Sequence, residues 1–490
     1  MSDDKKDEKS GPRRPWRDNI EAITMAIIMA VMLKYFIVEA YKIPTGSMQP
    51  TLMGNKQLGI EDRILVDKLS YHFSDPERFD VVIFKYPLDR SKNFIKRIVG
   101  MPGERLRVLG GDVWTSPLGE DNWTILSKPR YVQEDTWKPL INLGGRQQHW
   151  KPNSAARQWS VQDHQIAARG DGAVRYPGSI DSINDDYKDG YPRKMAARLH
   201  ARPVPNSHPV GDLRVRGTVR ALPGNTEFAC VLREGGLEYR CVIPGPAAPE
   251  GAKPRIEAQQ QAPGGDVTNI LTTKAEATEA FRLEPGSDVE FSAQNLDDKL
   301  ELVIDGEVVA ELKINPASGD ASVSLEQVGD GVDWTDLQVD RDIYYTQDRA
   351  RFSEWDIPEG SYVMLGDNTQ DSSDGREWQL RVYELTAEQL GEDADAFTGD
   401  EDSADLIVLR GNHRGGNENP RVIPGGSRFE TWFRDEWGEL YHWTGDPQTK
   451  IPSRFEPASM VPRHLITGRA MLVFWPIKVD LEVYRLKWIR

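Results

Sequence analysis

The beginning of the chain changes abruptly from polar to apolar. Residues 1–18 read MSDDKKDEKSGPRRPWRD, which is polar and rich in both charges, and residues 20–38 read IEAITMAIIMAVMLKYFIV. A composition like the first cannot bury enough apolar surface to fold, so a disordered tail is predicted. The second segment would form a helix about 28 Å long, which just crosses a bilayer. It predicts a transmembrane helix over 19–40, with a buried or amphipathic soluble helix as the alternative.

Beyond this segment the pattern favours strands. Residues 80–86 (DVVIFKY) and 94–99 (FIKRIV) are short and rich in β-branched and aromatic residues, as buried strands are. Between 109 and 359, turn signals separate segments of alternating apolar and polar residues, which predicts an all-β unit. The clearest segments are DLRVRGTVRAL, TEFACVLREGGLEYRCVI, DVEFSAQ, KLELVIDGEVVAELKI and DWTDLQVDRDIYYT. The chain is therefore predicted to be mostly β.

Two glycine-containing turns predict hairpins in this unit. A two-residue turn at Gly235-Gly236 places Cys230 opposite Cys241. The pair would share one face with four larger residues: Phe228, Leu232, Tyr239 and Ile243. An interstrand disulfide between Cys230 and Cys241 and a buried reduced pair are both open. The second hairpin is predicted at Asp305-Gly306, and a long surface loop over 244–266.

A further insertion is predicted over 379–460. It contains AEQLGEDADAFTGDEDSAD, with eight acidic residues between 388 and 405 but without the DxDxDG spacing of a calcium loop. A solvated, mobile segment is therefore predicted there. The aromatic run FETWFRDEWGELYHW (429–443) indicates a packed hairpin or a docking surface, and core packing is the default for aromatic residues.

Composition and charge exclude several classes of function. Of the 490 residues 28% are charged and 38% hydrophobic, which fits neither a disordered nor a polytopic membrane protein. The net charge of −16 argues against nucleic acid as a partner. Two cysteines exclude a four-cysteine zinc site, and the eight histidines form no HExxH motif. No metal and no cofactor are expected.

The distribution of basic residues predicts the orientation of the apolar helix. Six of them precede it: Lys5, Lys6, Lys9, Arg13, Arg14 and Arg17. The positive-inside rule then places the amino terminus in the cytoplasm and the rest of the chain outside. KIPTGSMQP follows the helix instead of a small-residue cleavage site, which disfavours a cleaved signal peptide. The predicted location is the cytoplasmic membrane, single-pass, with the lipid bilayer as a partner.

Two residues could supply serine chemistry. Ser47 lies in IPTGSMQPTL, which its prolines make stiff, but it has neither a GxSxG motif nor a nearby histidine. Lys96 lies among the apolar residues of FIKRIV. An edge-strand lysine that reaches water is one alternative. Burial in an apolar site is the other, and it would lower the pKa of the ammonium enough to make Lys96 a usable base.

A third cluster lies in GSYVMLGDNTQDSSDGREW, residues 360–378. An apolar strand breaks there at a GDN turn signal, and Ser372, Asp374 and Arg376 follow. Asp374 and Arg376 could form a charge-assisted pair that fixes the loop and leaves Ser372 to bond a neighbouring polar group.

In this order, behind one apolar helix, the three clusters resemble the type I signal peptidases (leader peptidases), membrane-bound serine proteases with a Ser/Lys dyad. The matching segments are IPTGSMQPTL, DVVIFKYP with FIKRIVGMPGE, GDNTQDSSDGR and GRAMLVFWP, and the resemblance covers 19–108, 361–378 and 461–490. It implies removal of signal peptides from secretory preproteins after Ala-x-Ala-like sites through an acyl-enzyme. Ser47 matches the nucleophile and Lys96 the general base. Thr45 matches the hydroxyl that joins the Ser47 backbone N–H in the oxyanion hole.

The resemblance also assigns supporting residues. Ser372 matches the serine that orients the lysine, and Asp374 and Arg376 match the supporting ion pair. Ile43 and Ile95 match positions that line the small substrate pockets.

The chain departs from the family pattern at four positions. Phe79 stands where the family usually has glycine before the first core strand. Thr369 and Gln370 follow GDN where Arg-Asp is common, and Gly375 replaces a small polar residue. These departures put loop stability and substrate range in question, but they remove no proposed catalytic group.

The predicted fold is a signal-peptidase-type coiled antiparallel β-sheet core behind one transmembrane helix, with an inserted β-sandwich that resembles the concanavalin-like (laminin-G-like) domains. Such sandwiches often bind glycans or partner proteins, and a spacer without a ligand is an equal alternative. The predicted units are a tail (1–18), a transmembrane helix (19–40), a first peptidase core segment (41–108), a transition (109–149), the β-sandwich (150–346), a second peptidase core segment (347–378), a second insertion (379–460) and C-terminal core strands (461–490).

Two other functions are weighed against signal peptide removal. One is a membrane-tethered binding protein whose β-sandwich binds a glycan or protein on a degenerate peptidase core; the intact Ser47 and Lys96 argue against it. The other is a self-cleaving Ser/Lys protein similar to the soluble SOS-type repressors. The apolar helix, the acidic balance and the lack of a DNA-binding motif argue against that second function.

Overall fold

The computed structural model describes residues 15–489 apart from 141–149, 157, 163–164, 178–181, 200–206, 261–269, 349, 391–405, 413–418, 426–427, 446–452 and 482. Most of the predicted tail and of the acidic segment lies outside the described residues.

The first helix carries exposed apolar side chains, among them Ile23, Met25 and Ile27. The α-helices span Pro15–Met32, Arg130–Thr136, Arg193–Ala196 and Ala387–Leu390; a π-helical turn covers Leu33–Ile37, and 3-10 turns cover Ser70–His72, Arg463–Leu465 and Val479–Leu481. Within the described part of the chain, no helix has both the length and the apolar character needed to cross a bilayer. The transmembrane helix predicted over 19–40 is not confirmed.

The described chain is mostly β, as predicted, and one antiparallel sheet, the core sheet, carries the candidate site. Its strands, in spatial order, are Val38–Lys42, Arg63–Asp67, Ile466–Trp475, Val81–Tyr86, Asp89–Gly100, Ser361–Leu365 and Met460–Pro462, with Lys487–Trp488 beside Ile466–Trp475. Alternate residues of a strand point to opposite faces. Val82 and Phe84 accordingly pack in one apolar cluster, and Val81 and Ile83 in another. Both faces of the core sheet are therefore covered.

A smaller sheet, the side sheet, continues from the core sheet. Its strands are Glu354–Asp356, Glu104–Leu109, Asp112–Pro117 and Thr124–Ile125. The two central strands form a hairpin whose turn is Gly110-Gly111. The hairpin tip meets residues 344–345, because Tyr345 N donates to Gly111 O at 2.9 Å.

Two large sheets follow in the chain and form the two-sheet unit. Sheet 1 contains, in spatial order, Ser160–Val161, Ile166–Arg169, Gly331–Arg341, Leu213–Ala221, Asp288–Leu296, Lys299–Ile304 and Glu307–Lys313, with Lys138–Pro139 beside Gly331–Arg341. Sheet 2 contains Lys151–Pro152, Gly172–Tyr176, Ala321–Gly329, Asn225–Glu234, Leu237–Pro244, Arg255–Gln260 and Ile270–Glu276. Buried side chains of both sheets form one cluster, in which the rings of Phe228 and Trp334 lie 6.1 Å apart. The concanavalin-like identity of this unit stays a prediction.

Both predicted hairpins are confirmed. Gly235-Gly236 and Asp305-Gly306 connect adjacent antiparallel strands with positive φ at both turn positions. Cys230 pairs directly with Cys241, and both are buried free thiols. The prediction of a long surface loop over 244–266 is wrong for Arg255–Gln260. These residues form a strand that pairs with Leu237–Pro244, because alternate residues of it are buried in the core.

The second insertion contains two three-stranded sheets. One sheet has the order Ile407–Asn412, Gln379–Leu385 and Ser453–Pro457, and the other has the order Arg421–Gly425, Arg428–Arg434 and Leu440–Gly445. Outside this segment, two-stranded ladders join Gly54–Asn55 to Ile60–Glu61 and Ile477–Lys478 to Val483–Tyr484. The aromatic run forms a packed hairpin, in which Phe433 and Trp443 are buried and Trp437 is exposed. Core packing, the default prediction, is thus confirmed for Phe433 and Trp443.

Candidate active site

Ser47 lies on a tight turn between apolar anchors. Ile43 N donates to Asp62 O at 2.8 Å, which fixes the entry to the turn, and Gln49 N donates to Gly46 O at 3.2 Å within it. Met48 is fully buried. The side chains that flank Ser47 are therefore held in the core, while Ser47 itself is only partly buried.

Lys96 is buried beside Ser47. Its strand, Asp89–Gly100, lies inside the core sheet with a neighbour on each side, so the edge-strand alternative is excluded. Only 3% of Lys96 is exposed. Its Nζ donates to Ser47 Oγ at 2.8 Å and to Ile95 O at 3.1 Å. A serine hydroxyl and a lysine amine thus lie within hydrogen-bond reach of each other, an arrangement that serine-type acyl transfer requires.

The GDN loop (residues 366–376) holds the turn of Ser47 from the other side. Asn368 N donates to Ser47 O at 3.1 Å. The Asn368 side-chain amide donates to Gly46 O at 3.0 Å. In the sequence GDN was predictable only as a turn signal, and this supporting role was missed.

A second contact missed from the sequence is the buried ion pair of Arg97 and Asp367. Arg97 Nε and Nη2 donate to the two Asp367 oxygens at 2.9 and 2.7 Å. The side chains are 1% and 0% exposed. Thr51 Oγ1 donates to Asp367 Oδ2 at 2.5 Å. The pair ties the residue after Lys96 to the GDN loop. Its sequence signal was an arginine inside an apolar strand.

The predicted pair of Asp374 and Arg376 is present as a bidentate contact. Arg376 Nε and Nη2 each donate to an Asp374 oxygen at 2.8 Å, and Gly366 N donates to Asp374 Oδ2 at 2.9 Å. Burial alone would raise the pKa of the Asp374 carboxyl, but the Arg376 guanidinium and the Gly366 N–H hold it below its usual range. Arginines thus bind the carboxylates of both Asp374 and Asp367.

The remaining predicted site residues differ in how far their roles are visible. Ser372 is buried next to Gly366, where an added Cβ would meet Ser372 Cβ and Ser47 O, both at 2.6 Å. Its Oγ has no hydrogen-bond partner among the described residues, so the orienting of Lys96 stays a prediction. Thr45 is exposed beside Ser47. Ile43 and Ile95 pack in one apolar cluster next to the dyad.

Comparison with known proteins identifies the family. A family model described as signal peptidase, peptidase S26, matches residues 16–170 and 284–387, more than half of the chain. The chain belongs to the signal peptidase family.

Several signal peptidases align with a portion of the chain. A probable signal peptidase I-2 of Synechocystis sp. is 37% identical over 132 residues, which cover 26% of this chain and 57% of that protein. A signal peptidase I of Leptolyngbya laminosa is 39% identical over 127 residues, 24% of this chain and 58% of that protein. The chain thus spans a little over half the length of these relatives. A solved structure, the carbohydrate-binding module CBM66 of Bacillus subtilis, aligns with 39% of this chain over 94% of its own length. The sequence identity is 10% and the TM-score is 0.24, values too low to support any conclusion.

Two departures from the signal peptidase pattern contact the two-sheet unit and the segment that leaves it. Thr369 Oγ1 donates to Tyr344 O at 2.6 Å, and Gln370 Nε2 donates to Asp185 Oδ2 at 2.5 Å. Arg376 Nη1 donates to Thr346 O at 2.8 Å. Thr369 and Gln370, which replace the usual Arg-Asp of this signal peptidase loop, therefore hold it against the two-sheet unit and the segment that leaves it.

The other departures have local explanations. Phe79 has a φ of 72°, the left-handed region that favours the glycine usual in signal peptidases. Gly375 packs closely against backbone, since an added Cβ would lie 3.1 Å from Met364 O. A side chain at position 375 would therefore need the neighbouring strand to shift.

Proposed function

We propose that this chain is a membrane-bound serine endopeptidase that removes signal peptides from secretory preproteins after Ala-x-Ala-like sites. Ser47 is the nucleophile and Lys96 the general base. The observation that carries this proposal is the 2.8 Å contact between Lys96 Nζ and Ser47 Oγ, made by a lysine that is almost completely buried.

In the first half of the reaction, Ser47 Oγ attacks the carbonyl carbon that precedes the cleaved bond, and the neutral Lys96 amine takes the hydroxyl proton. The Ser47 backbone N–H and the Thr45 hydroxyl would stabilise the oxyanion that develops. When the C–N bond breaks, Lys96 returns the proton to the leaving amine. The mature protein departs, and the signal peptide remains as an ester on Ser47.

In the second half, Lys96 takes a proton from water, and the hydroxide attacks the ester carbonyl. Ser47 recovers its proton from Lys96, and the signal peptide leaves with a free carboxyl end. Two buried ion pairs support this cycle. Arg97 with Asp367 ties the strand that carries Lys96 to the GDN loop, and Arg376 with Asp374 stabilises that loop, which contacts Ser47. No cofactor is required.

The test is cleavage of a preprotein with an Ala-x-Ala site by the purified chain in detergent. Ser47→Ala and Lys96→Ala should each lower kcat/KM by about 1,000-fold or more, because the members of such a unit act together. Lys92→Ala is the matched control, since Lys92 lies on the same strand with an exposed ammonium paired to Asp89. The proposal fails if the parent is inert on several preproteins, or if either dyad variant retains the rate of the Lys92→Ala control.

Attachment to the cytoplasmic membrane belongs to the proposal. Apolar side chains are exposed along Pro15–Met32 and again near the carboxyl end, at Val479, Leu486 and Trp488. Membrane fractionation with carbonate extraction tests it, and release of the chain into the soluble fraction would contradict it. A tethered glycan- or protein-binding role on a degenerate core is not favoured, because the dyad and both ion pairs are intact.

A further inference from the structure

His208 lies where segments of the two-sheet unit approach the GDN loop. Its backbone pairs with the segment 183–189, since His208 N donates to Asp185 Oδ1 at 2.7 Å and Asp185 N donates to His208 O at 2.9 Å. The imidazole stacks on the ring of Tyr344, with the centroids 5.0 Å apart and 12° between the planes. One histidine thus contacts two separate segments of the chain.

Both of these segments hold the GDN loop. Asp185 Oδ2 accepts the hydrogen bond of Gln370 Nε2, while Oδ1 of the same carboxylate accepts the bond of His208 N. Tyr344 O accepts the hydrogen bond of Thr369 Oγ1. The two contacts lie on neighbouring residues of the loop, and each is one residue away from His208. A change at this histidine therefore reaches the loop by two routes.

Two carboxylates face the two nitrogens of the imidazole. His208 Nδ1 lies 3.7 Å from Asp185 Oδ1, and Nε2 lies 3.3 Å from Asp348 Oδ1. Nδ1 is buried and makes no hydrogen bond among the described residues. A neutral imidazole has one N–H donor and one acceptor nitrogen, whereas an imidazolium has two donors. The neutral ring must turn a lone pair towards one of the carboxylates, so the arrangement fits the protonated ring.

We infer that His208 is a positioning residue for the GDN loop and that protonation of its ring strengthens the hold. The inference rests on the proposed peptidase function, because this loop contacts the turn of Ser47. The imidazolium fixes the Asp185 carboxylate between the ring and Gln370, and the stacked ring holds Tyr344. Histidines change charge between about pH 5 and 8. The support of the loop should therefore weaken as the pH rises through this range.

The other titratable groups around this contact can be separated from His208. Burial, followed by the charge of Asp185, raises the pKa of Tyr344, so its hydroxyl stays neutral in this range. Near Asp185, burial lowers the pKa of Lys138 to about 7 and raises the pKa of Asp189 to about 6. These two groups titrate where a histidine does. They remain in a variant of His208, so the difference between parent and variant at one pH isolates the histidine.

Hydrogen exchange of the GDN loop is the first test. The full chain in detergent is compared with His208→Gln, which keeps a neutral N–H donor, at pH 6.0 and at pH 8.0, and exchange of residues 366–376 is followed by mass spectrometry. At pH 6.0 the loop should exchange about threefold faster in the variant, and at pH 8.0 the two rates should agree. His72→Gln is the matched control, because His72 is an exposed histidine of the peptidase portion, and it should match the parent at both pH values.

Preprotein cleavage supplies a second readout. The kcat of the parent should exceed that of His208→Gln about threefold at pH 6.0 and should equal it at pH 8.0, with KM unchanged, because a looser loop misplaces Ser47 without touching the substrate. Protonation of Lys96 lowers both rates alike and leaves their ratio unaffected. If the parent cleaves no preprotein, the proposed peptidase function fails, and the exchange rates alone then decide whether His208 holds the loop.

A ring needed only for packing would change exchange and kcat equally at the two pH values, and that result would overturn the inference. Exchange that matches the parent at pH 6.0 would overturn it as well. Asp348→Asn is the second variant should His208→Gln fail to fold, since the Asp348 side chain is partly exposed and its loss leaves the histidine in place. It should speed exchange of the loop at pH 6.0 and leave it unchanged at pH 8.0.

Discussion

Phe79 combines an unfavourable backbone conformation with a buried side chain. Its φ is 72°, and only 6% of the side chain is exposed. The left-handed conformation costs a residue with a Cβ roughly 1–2 kcal/mol. Burial of a phenylalanine ring contributes about 1.5–3 kcal/mol in the other direction. The two effects are of similar size, which explains how Phe79 can stand where the family has glycine.

At position 79 a glycine variant should therefore be more stable than an alanine variant, which reverses the usual order of stability inside a strand. Both Phe79→Ala and Phe79→Gly lose the ring, but only alanine keeps the strain. We expect Phe79→Gly to be more stable than Phe79→Ala by about 1 kcal/mol in urea unfolding. At the control position Phe84, in the strand Val81–Tyr86, alanine should be the more stable by about 0.5–1 kcal/mol. If the alanine variant is the more stable one at position 79 as well, the backbone at Phe79 is not strained.

Removal of the Asp374 carboxylate should destabilise the fold mainly because it leaves the buried Arg376 guanidinium without its partner. Removal of one member of a buried pair costs about 3–5 kcal/mol, because the other charge stays buried without a partner. Asp374→Asn should lower the free energy of unfolding at pH 7 by this amount. The exposed carboxylate Asp356, which pairs with Arg105, is the control, and Asp356→Asn should cost less than about 1 kcal/mol.

The same pair predicts a pH dependence. The folded-state pKa of Asp374 is lowered, so its contribution is complete above the unfolded pKa, about 3.9, and is lost as the pH falls through the folded value. The difference between the parent and Asp374→Asn should thus shrink below about pH 4. Urea unfolding at pH 7 and at pH 3.5 measures it. An equal difference at both pH values would mean that the carboxylate charge does not stabilise the fold.

At the level of strands, alternation and turn residues explain the two hairpins. Glycines at Gly235-Gly236 accept positive φ without strain, and the two-residue turn fixes which residues face each other. Cys230 and Cys241 are adjacent for that reason. The sequence could not decide whether their sulfurs are bonded, because that depends on atomic distance and redox conditions; in the structure both are free thiols.

Burial predicts the reactivity of these thiols. It raises the pKa of Cys241 to about 12, and it raises the pKa of Cys230 as well. Because the thiolate is the reactive form, neither cysteine should react with a maleimide at pH 7.5 in the folded chain, and both should react in urea. Mass spectrometry of the labelled chain counts the modified thiols. Labelling of the folded chain would contradict the burial, and no labelling in urea would mean that a disulfide has formed.

In the molecule as a whole, the two-sheet unit and the segment that leaves it contribute to the support of the site. Gln370 contacts Asp185, Thr369 contacts Tyr344, and Arg376 contacts Thr346. The GDN loop is therefore held on one side by the core sheet and on the other by the two-sheet unit and the segment that leaves it. Its position should depend on both.

A double-mutant cycle on Gln370 and Asp185 tests this dependence. Each alanine variant should lower the free energy of unfolding by about 1–3 kcal/mol, and the double variant by less than the sum. Preprotein cleavage should fall in the single variants, because the loop contacts Ser47 O and Gly46 O. Arg220 and Asp288, an exposed pair of the two-sheet unit, should show little coupling and unchanged cleavage. Additive effects at Gln370 and Asp185 would refute the docking role.

Much of the candidate site was predictable because its residues lie in short local motifs. Ser47 in its proline-flanked turn, Lys96 in an apolar strand and Asp374 with Arg376 in one loop each carry a signal within a few residues. No such local signal exists for the contacts of Arg97 with Asp367 and of Asn368 with Gly46. In each contact the two residues are remote in the chain, and only the packed sheet brings them together.

Much of the local structure could be inferred from the amino-acid sequence alone: most of the strands, the hairpin registers, the ion pair of Asp374 with Arg376 and the family to which the motifs point. These depend on side-chain alternation, turn chemistry and spacing, all of which act over a few residues. Three features became visible only in the folded chain: Lys96 is buried on a central strand beside Ser47, the GDN loop binds the turn of Ser47, and the two-sheet unit packs against that loop. These depend on which distant segments pair and exclude water together, and the position of a residue in the chain does not specify that.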